Sequence, residues 1–174
     1  MELIEGLKGR RSIRSYKDED VPDSILEELL EIARWAPSSS NNQPWRFIIV
    51  RDKDTKASLR GGLRDLFLSF SKHIVEAPVV FAVWYEPSRI LSRYQVSDVS
   101  NAIMYVMLAA HAKGLGTCWI GWFSEDRVKK MLNLPRKANV VALITLGYPE
   151  EIPEPKNRKP VRELAYRESY DKKW

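Results

Sequence analysis

Between Ser97 and Lys113 the chain reads as a helix in which Ala102, Ile103, Tyr105, Val106, Met107, Leu108, Ala109 and Ala110 leave little polar face. A helix that is apolar nearly all round has to be covered nearly all round. In a chain of 174 residues a subunit interface provides that cover more easily than the interior of one monomer. Asp98 falls in the expected first turn and Gly114 at the expected stop, as helix ends favour.

The elements around this helix follow from periodicity and punctuation. Leu3, Ile4 and Leu7 share one face of a short helix that Gly9 ends. Val21-Pro22-Asp23 opens a second helix with Ile25, Leu26, Leu29, Leu30, Ile32 and Ala33 inward, Glu27, Glu28 and Glu31 outward, and Pro37 as its close. Phe47 to Val50 is a strand that should end in a turn at Arg51 to Asp54. From Lys56 to Ser71 the residues Leu59, Leu63, Leu66, Phe67 and Phe70 recur at helical spacing, interrupted by Gly61-Gly62. Val79 to Tyr85 is a continuous apolar run, as in a central strand covered on both faces. Glu86 to Gln95 reads as a loop that could flank a pocket, Thr117 to Trp122 as a third strand, and Val140 to Leu146 as a fourth. Ser124 should cap a helix running to Leu132. After Gly147, prolines at Pro149, Pro153, Pro155 and Pro160 forbid regular structure until about Val161, so the tail should lie extended across a surface.

Composition narrows the class. With 44% hydrophobic and 29% charged residues, the chain suits one soluble globular domain without long disorder. The longest apolar runs, such as Pro78 to Tyr85, are too short to cross a bilayer, and the N-terminus has no signal-type apolar core, so a cytoplasmic location is expected. Cys118 is the single cysteine and excludes an intrachain disulfide; a small core residue is its expected role. His73 and His111 have no partners at metal-ligand spacing, so no metal site is expected. The net charge of +5 would permit binding to nucleic acid, yet most Lys and Arg alternate with acids along helices, the pattern of a solvated face. Two clusters stand apart, Arg10 to Arg14 and Lys156 to Lys159, and they suit a small anion such as a phosphate monoester.

The stretch Ala36 to Phe47, APSSSNNQPWRF, is far richer in donors and acceptors than a connection between a helix and a strand requires. Trp45 and Phe47 directly after it place the loop at the mouth of a buried strand. Its polar groups should therefore face a cavity or an interface.

This loop, together with Arg10-Arg11-Ser12-Ile13-Arg14-Ser15-Tyr16, Gly114-Leu115-Gly116-Thr117-Cys118-Trp119-Ile120-Gly121 and Gly147-Tyr148-Pro149, resembles the nitroreductase family of FMN-dependent oxidoreductases, in the family's order. The resemblance implies an α+β fold over residues 1–174, with a central, mostly antiparallel sheet of four to five strands flanked by helices. It also implies a homodimer built on the long helix, in which the tail, residues 150–174, is exchanged and adds a strand to the other subunit's sheet. Arg10 and Ser12 match the family's phosphate and ribityl contacts, with Arg11 beside them and of less weight; Arg14 matches a cation near the pyrimidine edge of the flavin, where it favours the anionic reduced ring. Pro37, Ser38, Ser39, Ser40 and Asn42 match a loop that reaches the flavin from the neighbouring subunit. Cys118, Trp119, Ile120 and Gly121 match the strand along the ring, with Gly121 near N5, and Lys156 and Arg158 match a basic pair that closes on the phosphate. The chain departs from the family in offering only Arg60 and Arg64 for the ring's O2 edge, neither of which is assigned, and in lacking the insertion that roofs the pocket of longer members.

The implied activity is transfer of hydride from NAD(P)H through bound FMN to nitro-aromatic, quinone or other electron-poor acceptors by a ping-pong mechanism. No Ser/His/Asp set, H-E-x-x-H, P-loop or G-x-G-x-x-G after a strand competes with it. Two other classes are weighed against it: a flavin-handling protein with little turnover, and a basic nucleic-acid-binding module.

Overall fold

The structure, a computed structural model, describes residues 2–63 and 71–174. Four antiparallel strands, β1 (Arg46–Val50), β2 (Val79–Tyr85), β3 (Gly116–Ile120) and β4 (Asn139–Gly147), form one sheet in the order β1-β2-β4-β3. β2 is internal, and its uninterrupted apolar sequence serves two cores: Val79, Phe81, Val83 and Tyr85 face one, Val80 and Ala82 the other. Helices α2 (Asp23–Ala33) and α5 (Ser92–Ala112) cover the first face with Leu26, Leu29, Val99, Ile103 and Val106. The second face is covered by α3 (Lys53–Gly61), α4 (His73–Glu76) and α6 (Glu125–Met131), through Leu59, Ile74 and Val128. The short α1 (Leu3–Gly9) lies against the C-terminal part of α5, where Leu3, Gly6 and Leu7 meet Leu108 and Ala112. The antiparallel, helix-flanked sheet expected from the sequence is therefore present, with four strands.

Several boundaries differ from the sequence reading, each for a local reason. α5 begins at Ser92 rather than Ser97. The buried Gln95 side chain accepts from the Ser88 amide at 2.6 Å and donates to the Glu86 carbonyl at 3.0 Å, folding the preceding segment onto the helix. Asp98 consequently sits inside α5 and not in its first turn. Arg51 to Asp54 is not a free turn, because Asp52 caps α3 by accepting from the Thr55 amide at 2.7 Å. α3 stops at Gly61; Ser71 is not helical, and Leu66 and Phe70 of the expected longer helix lie outside the described residues. β3 ends at Ile120, leaving Gly121 and Trp122 beyond the strand. Ser124 makes no side-chain cap; Glu125 instead accepts from the Val140 amide at 3.0 Å, pinning α6 to β4.

Among the described residues, α5 is covered on one side only. Gln95, Asp98, Val99, Ala102, Ile103, Val106, Met107 and Ala110 are buried, while Val96, Met104 and Tyr105 are exposed. The tail carries no regular element between β4 and a single 3₁₀ turn at Val161–Glu163. β1 is paired on one edge only among the described residues. No helix among them is long and apolar enough to cross a membrane.

Candidate functional site

The arginine segment is docked against the sheet by backbone and by two glycines. The Ile13 amide donates to Thr117 at 2.9 Å, and Ser12 forms a parallel bridge with Thr117. Further along, the Lys17 amide donates to Tyr148 and the Glu150 amide to Ser15. Buried Ile13 lies directly over Gly116, where a Cβ would stand 2.5 Å from the isoleucine side chain. At Gly147 a Cβ would meet Pro78 at 2.5 Å and Tyr16 at 3.0 Å. Only a residue without a side chain permits both approaches.

The consequence is a cationic cradle made by the two ends of the chain. Arg10, Arg11, Ser12 and Arg14 line a cavity of about 170 Å³ with Pro153, Glu154, Lys156 and Arg158. None of its five cations forms an ion pair with a carboxylate among the described residues. The two adjacent arginines are used differently. Arg11 Nη1 donates to the carbonyls of Lys8, Gly9 and Arg10 at 2.7, 3.0 and 3.1 Å, closing the end of α1. Arg10 keeps one contact of 3.3 Å, to the Arg11 carbonyl, so its remaining donors are available to an anion.

Arg14 belongs to a second cavity as well, of about 370 Å³, whose wall is Cys118, Trp119, Ile120, Gly121 and Trp122. Among the described residues its guanidinium has a single 3.4 Å contact, to the Ser12 carbonyl. Gly121 is exposed, and a Cβ there would come no closer than 3.6 Å to Trp119, so close packing among the described residues does not explain this glycine. It leaves bare backbone at the edge of a cavity that Trp119 and Trp122 also line. Burial pushes the Cys118 thiol above its ordinary value, against the pull of Arg14 and Arg10, which keeps it a neutral wall residue. Burial likewise raises Tyr16, against its hydrogen bond to Thr145, so its hydroxyl stays protonated.

The polar loop lies elsewhere. Pro37, Ser38, Ser39, Ser40 and Asn42 line neither cavity. The loop is fastened to α5 at Asp98, which accepts from the Ser39 amide at 3.0 Å and hydroxyl at 3.1 Å, and at Asn101, which donates to the Pro37 carbonyl at 3.2 Å. Gly9, beside the arginine cluster, packs on His111. Asp98 and His111 are separated by a helical rise of roughly 20 Å. Within the loop Ser40, Asn41 and Gln43 all have positive φ, at 51°, 52° and 45°. That region is uncommon outside glycine, and such strain concentrates where a ligand is held.

Four residues of the slot escape the sequence motifs: Leu63, Ser71, His73 and Trp122. Ser71 and buried His73 arrive at the N-terminal end of α4, ahead of the central strand, and no local pattern marks them. Arg60 lines neither cavity, and Arg64 lies outside the described residues.

A helix-flanked antiparallel sheet whose edge carries a cationic cradle, sharing Arg14 with a neighbouring, mostly apolar cavity, suits a ligand with a phosphate at one end and a flat ring at the other. The chain belongs to the nitroreductase family, whose model matches residues 7–148. It is 32% identical to an NADH dehydrogenase of Thermus thermophilus, over 90% of this chain and 91% of that protein. It is 31% identical to an iodotyrosine deiodinase of Thermotoga neapolitana, over 95% of this chain and 96% of that one. The solved structure of an FMN-dependent nitroreductase from Clostridium difficile superposes with a TM-score of 0.83 at 28% identity, covering 97% of this chain and 100% of that one.

Proposed function

We propose that the protein is an FMN-dependent oxidoreductase that uses NAD(P)H to reduce nitro-aromatic, quinone or other electron-poor acceptors, in a ping-pong cycle on a homodimer. The observation that carries this reading is that Arg14 lines both the cationic cradle, which has no ion pair among the described residues, and the cavity along Cys118 to Gly121. Arg10, Ser12, Lys156 and Arg158 bind the FMN phosphate and its adjoining hydroxyls, because a guanidinium fork donates paired, charge-assisted hydrogen bonds to phosphate oxygens. Arg11 contributes charge while its guanidinium closes α1. Cys118, Trp119 and Ile120 would hold the ring and exclude water from it, and Gly121 would leave room for it beside the backbone. Arg14 places positive charge at the polar end of the slot, where it favours an electron-rich ligand. FMN held there would supply the redox chemistry between NAD(P)H and the acceptor.

The homodimer is supported by three features of one chain. The exposed side of α5 and the adjoining α1 carry Met104, Tyr105, Leu3, Ile4 and Leu7 in the open. The outer edge of β1 is unpaired among the described residues and would take the partner's tail. The loop from Pro37 to Asn42 stands about 20 Å along α5 from the arginine cluster of its own chain, so it completes the site of a second copy. Light scattering combined with absorbance tests this reading: the FMN-loaded protein is expected at twice the chain mass of 20.2 kDa. It is also expected to oxidise NAD(P)H when an acceptor is added. A flavin-bound species of single-chain mass would overturn the shared site, and flavin binding without turnover would leave a flavin-handling protein.

A further inference from the structure

We infer that Asp98 is a positioning residue for cofactor capture, holding the Pro37 to Asn42 loop in the strained shape that presents it to the flavin of the neighbouring subunit. This rests on the FMN reading above. Asp98 is 4% exposed, and its Oδ1 takes both the amide and the hydroxyl of Ser39. Its Oδ2 is buried without a hydrogen-bond partner among the described residues. Burying a carboxylate with one oxygen unmatched opposes folding. It is not how a chain would fasten a loop for stability alone. One turn further along α5, Asn101 holds the Pro37 carbonyl, so two successive positions on the same helix face grip the start of the loop. Directly after the grip come the positive φ angles of Ser40, Asn41 and Gln43, while Ser40, Asn41 and Asn42 are exposed. The clamp thus sets the conformation of residues that lie exposed in the single chain. Preorganisation of this kind lowers the ordering cost of binding and shows itself in affinity.

The test compares Asp98→Ala, Asp98→Asn and wild type by FMN titration, with thermal unfolding and light scattering on the apo proteins. Asp98→Ala is expected to raise the FMN Kd about tenfold or more, through loss of two hydrogen bonds to the loop. Asp98→Asn, which keeps an Oδ1 acceptor for Ser39, is expected within about threefold of wild type. Apo dimer mass should be unchanged and the apo Tm within about 3 °C, because a poorly matched buried carboxylate is lost. The proposal fails if Asp98→Ala binds FMN as wild type does, if the two variants lose affinity equally, or if the loss tracks a fall in apo Tm. Should Asp98→Ala not fold, Asn101→Ala at its exposed position decides: about a threefold weaker Kd supports the clamp, and unchanged affinity overturns it. Wild-type protein that takes up no FMN would instead refute the functional reading itself.

Discussion

The hydroxyls of Tyr16 and Thr145 lie 2.7 Å apart, and Tyr16 also donates to the Ile13 carbonyl at 2.9 Å. Because a carbonyl can only accept, the proton between the two hydroxyls comes from Thr145. This relay joins the arginine segment to the fully buried centre of β4. Tyr16→Phe should therefore destabilise the protein by about 1–2 kcal/mol, as the Thr145 hydroxyl is left without its acceptor. Adding Thr145→Val should recover part of that loss. Urea unfolding of the two single variants and the double variant measures the coupling, and strict additivity would contradict the relay.

Neighbouring arginines should respond differently to truncation. Arg10→Ala removes a guanidinium with one intrachain contact and is expected to weaken FMN binding by about 1.5–3 kcal/mol, or roughly ten- to a hundredfold. Arg11→Ala removes three hydrogen bonds to carbonyls at the end of α1 and should act more on stability than on affinity. Retention of flavin through dialysis compares them, and equal retention would remove Arg10 from the phosphate site.

Two glycines of the same stretch should also separate. Gly116→Ala drives a methyl into Ile13 and is expected to destabilise the apo protein by about 1–3 kcal/mol. Among the described residues, Gly121→Ala meets only Trp119, at 3.6 Å, so apo stability should hold while FMN affinity falls. Thermal unfolding without FMN and titration with FMN read the two effects independently.

Stability should decline at both ends of the pH range. His111 is held below its ordinary value of 6.5 by burial first and then by Arg10 and Arg11. For a depressed group the stabilisation is present above the unfolded value, and it is lost as pH falls through the folded one. Cys118 and Tyr16 are raised by burial, so their contribution is present below the unfolded values and lost as pH rises through the folded ones. Urea midpoints from about pH 5 to about pH 11 should therefore fall on both sides, with His111→Asn flattening the acid limb and Cys118→Ala the start of the alkaline one.

All four strands are legible in the sequence because each is a short apolar run with turn residues at its ends, and Val79 to Tyr85 declares its central place by lacking polar alternation. The convergence of Arg10, Ser12 and Arg14 with Lys156 and Arg158 is legible only through the family resemblance, since nearly the whole chain separates them. What local patterns miss is decided by distant pairs. The start of α5 depends on Gln95 reaching back to Glu86 and Ser88. Asp98 resembles a first-turn acid until Ser39, 59 positions earlier, is found against it. Ser71 and His73 enter the slot through the placement of α4, which no spacing rule announces.

The cationic cradle takes residues from both sides of the sheet-forming sequence, Arg10 to Arg14 before it and Lys156 and Arg158 after it. A nascent chain that has emerged only as far as β4 holds the arginine half and lacks the other. On the proposed phosphate assignment, firm cofactor retention therefore requires that synthesis has passed Lys156 and Arg158. The ligand would then act as a noncovalent staple across the fold, shielding the exposed, proline-rich tail from proteases for as long as it stays bound.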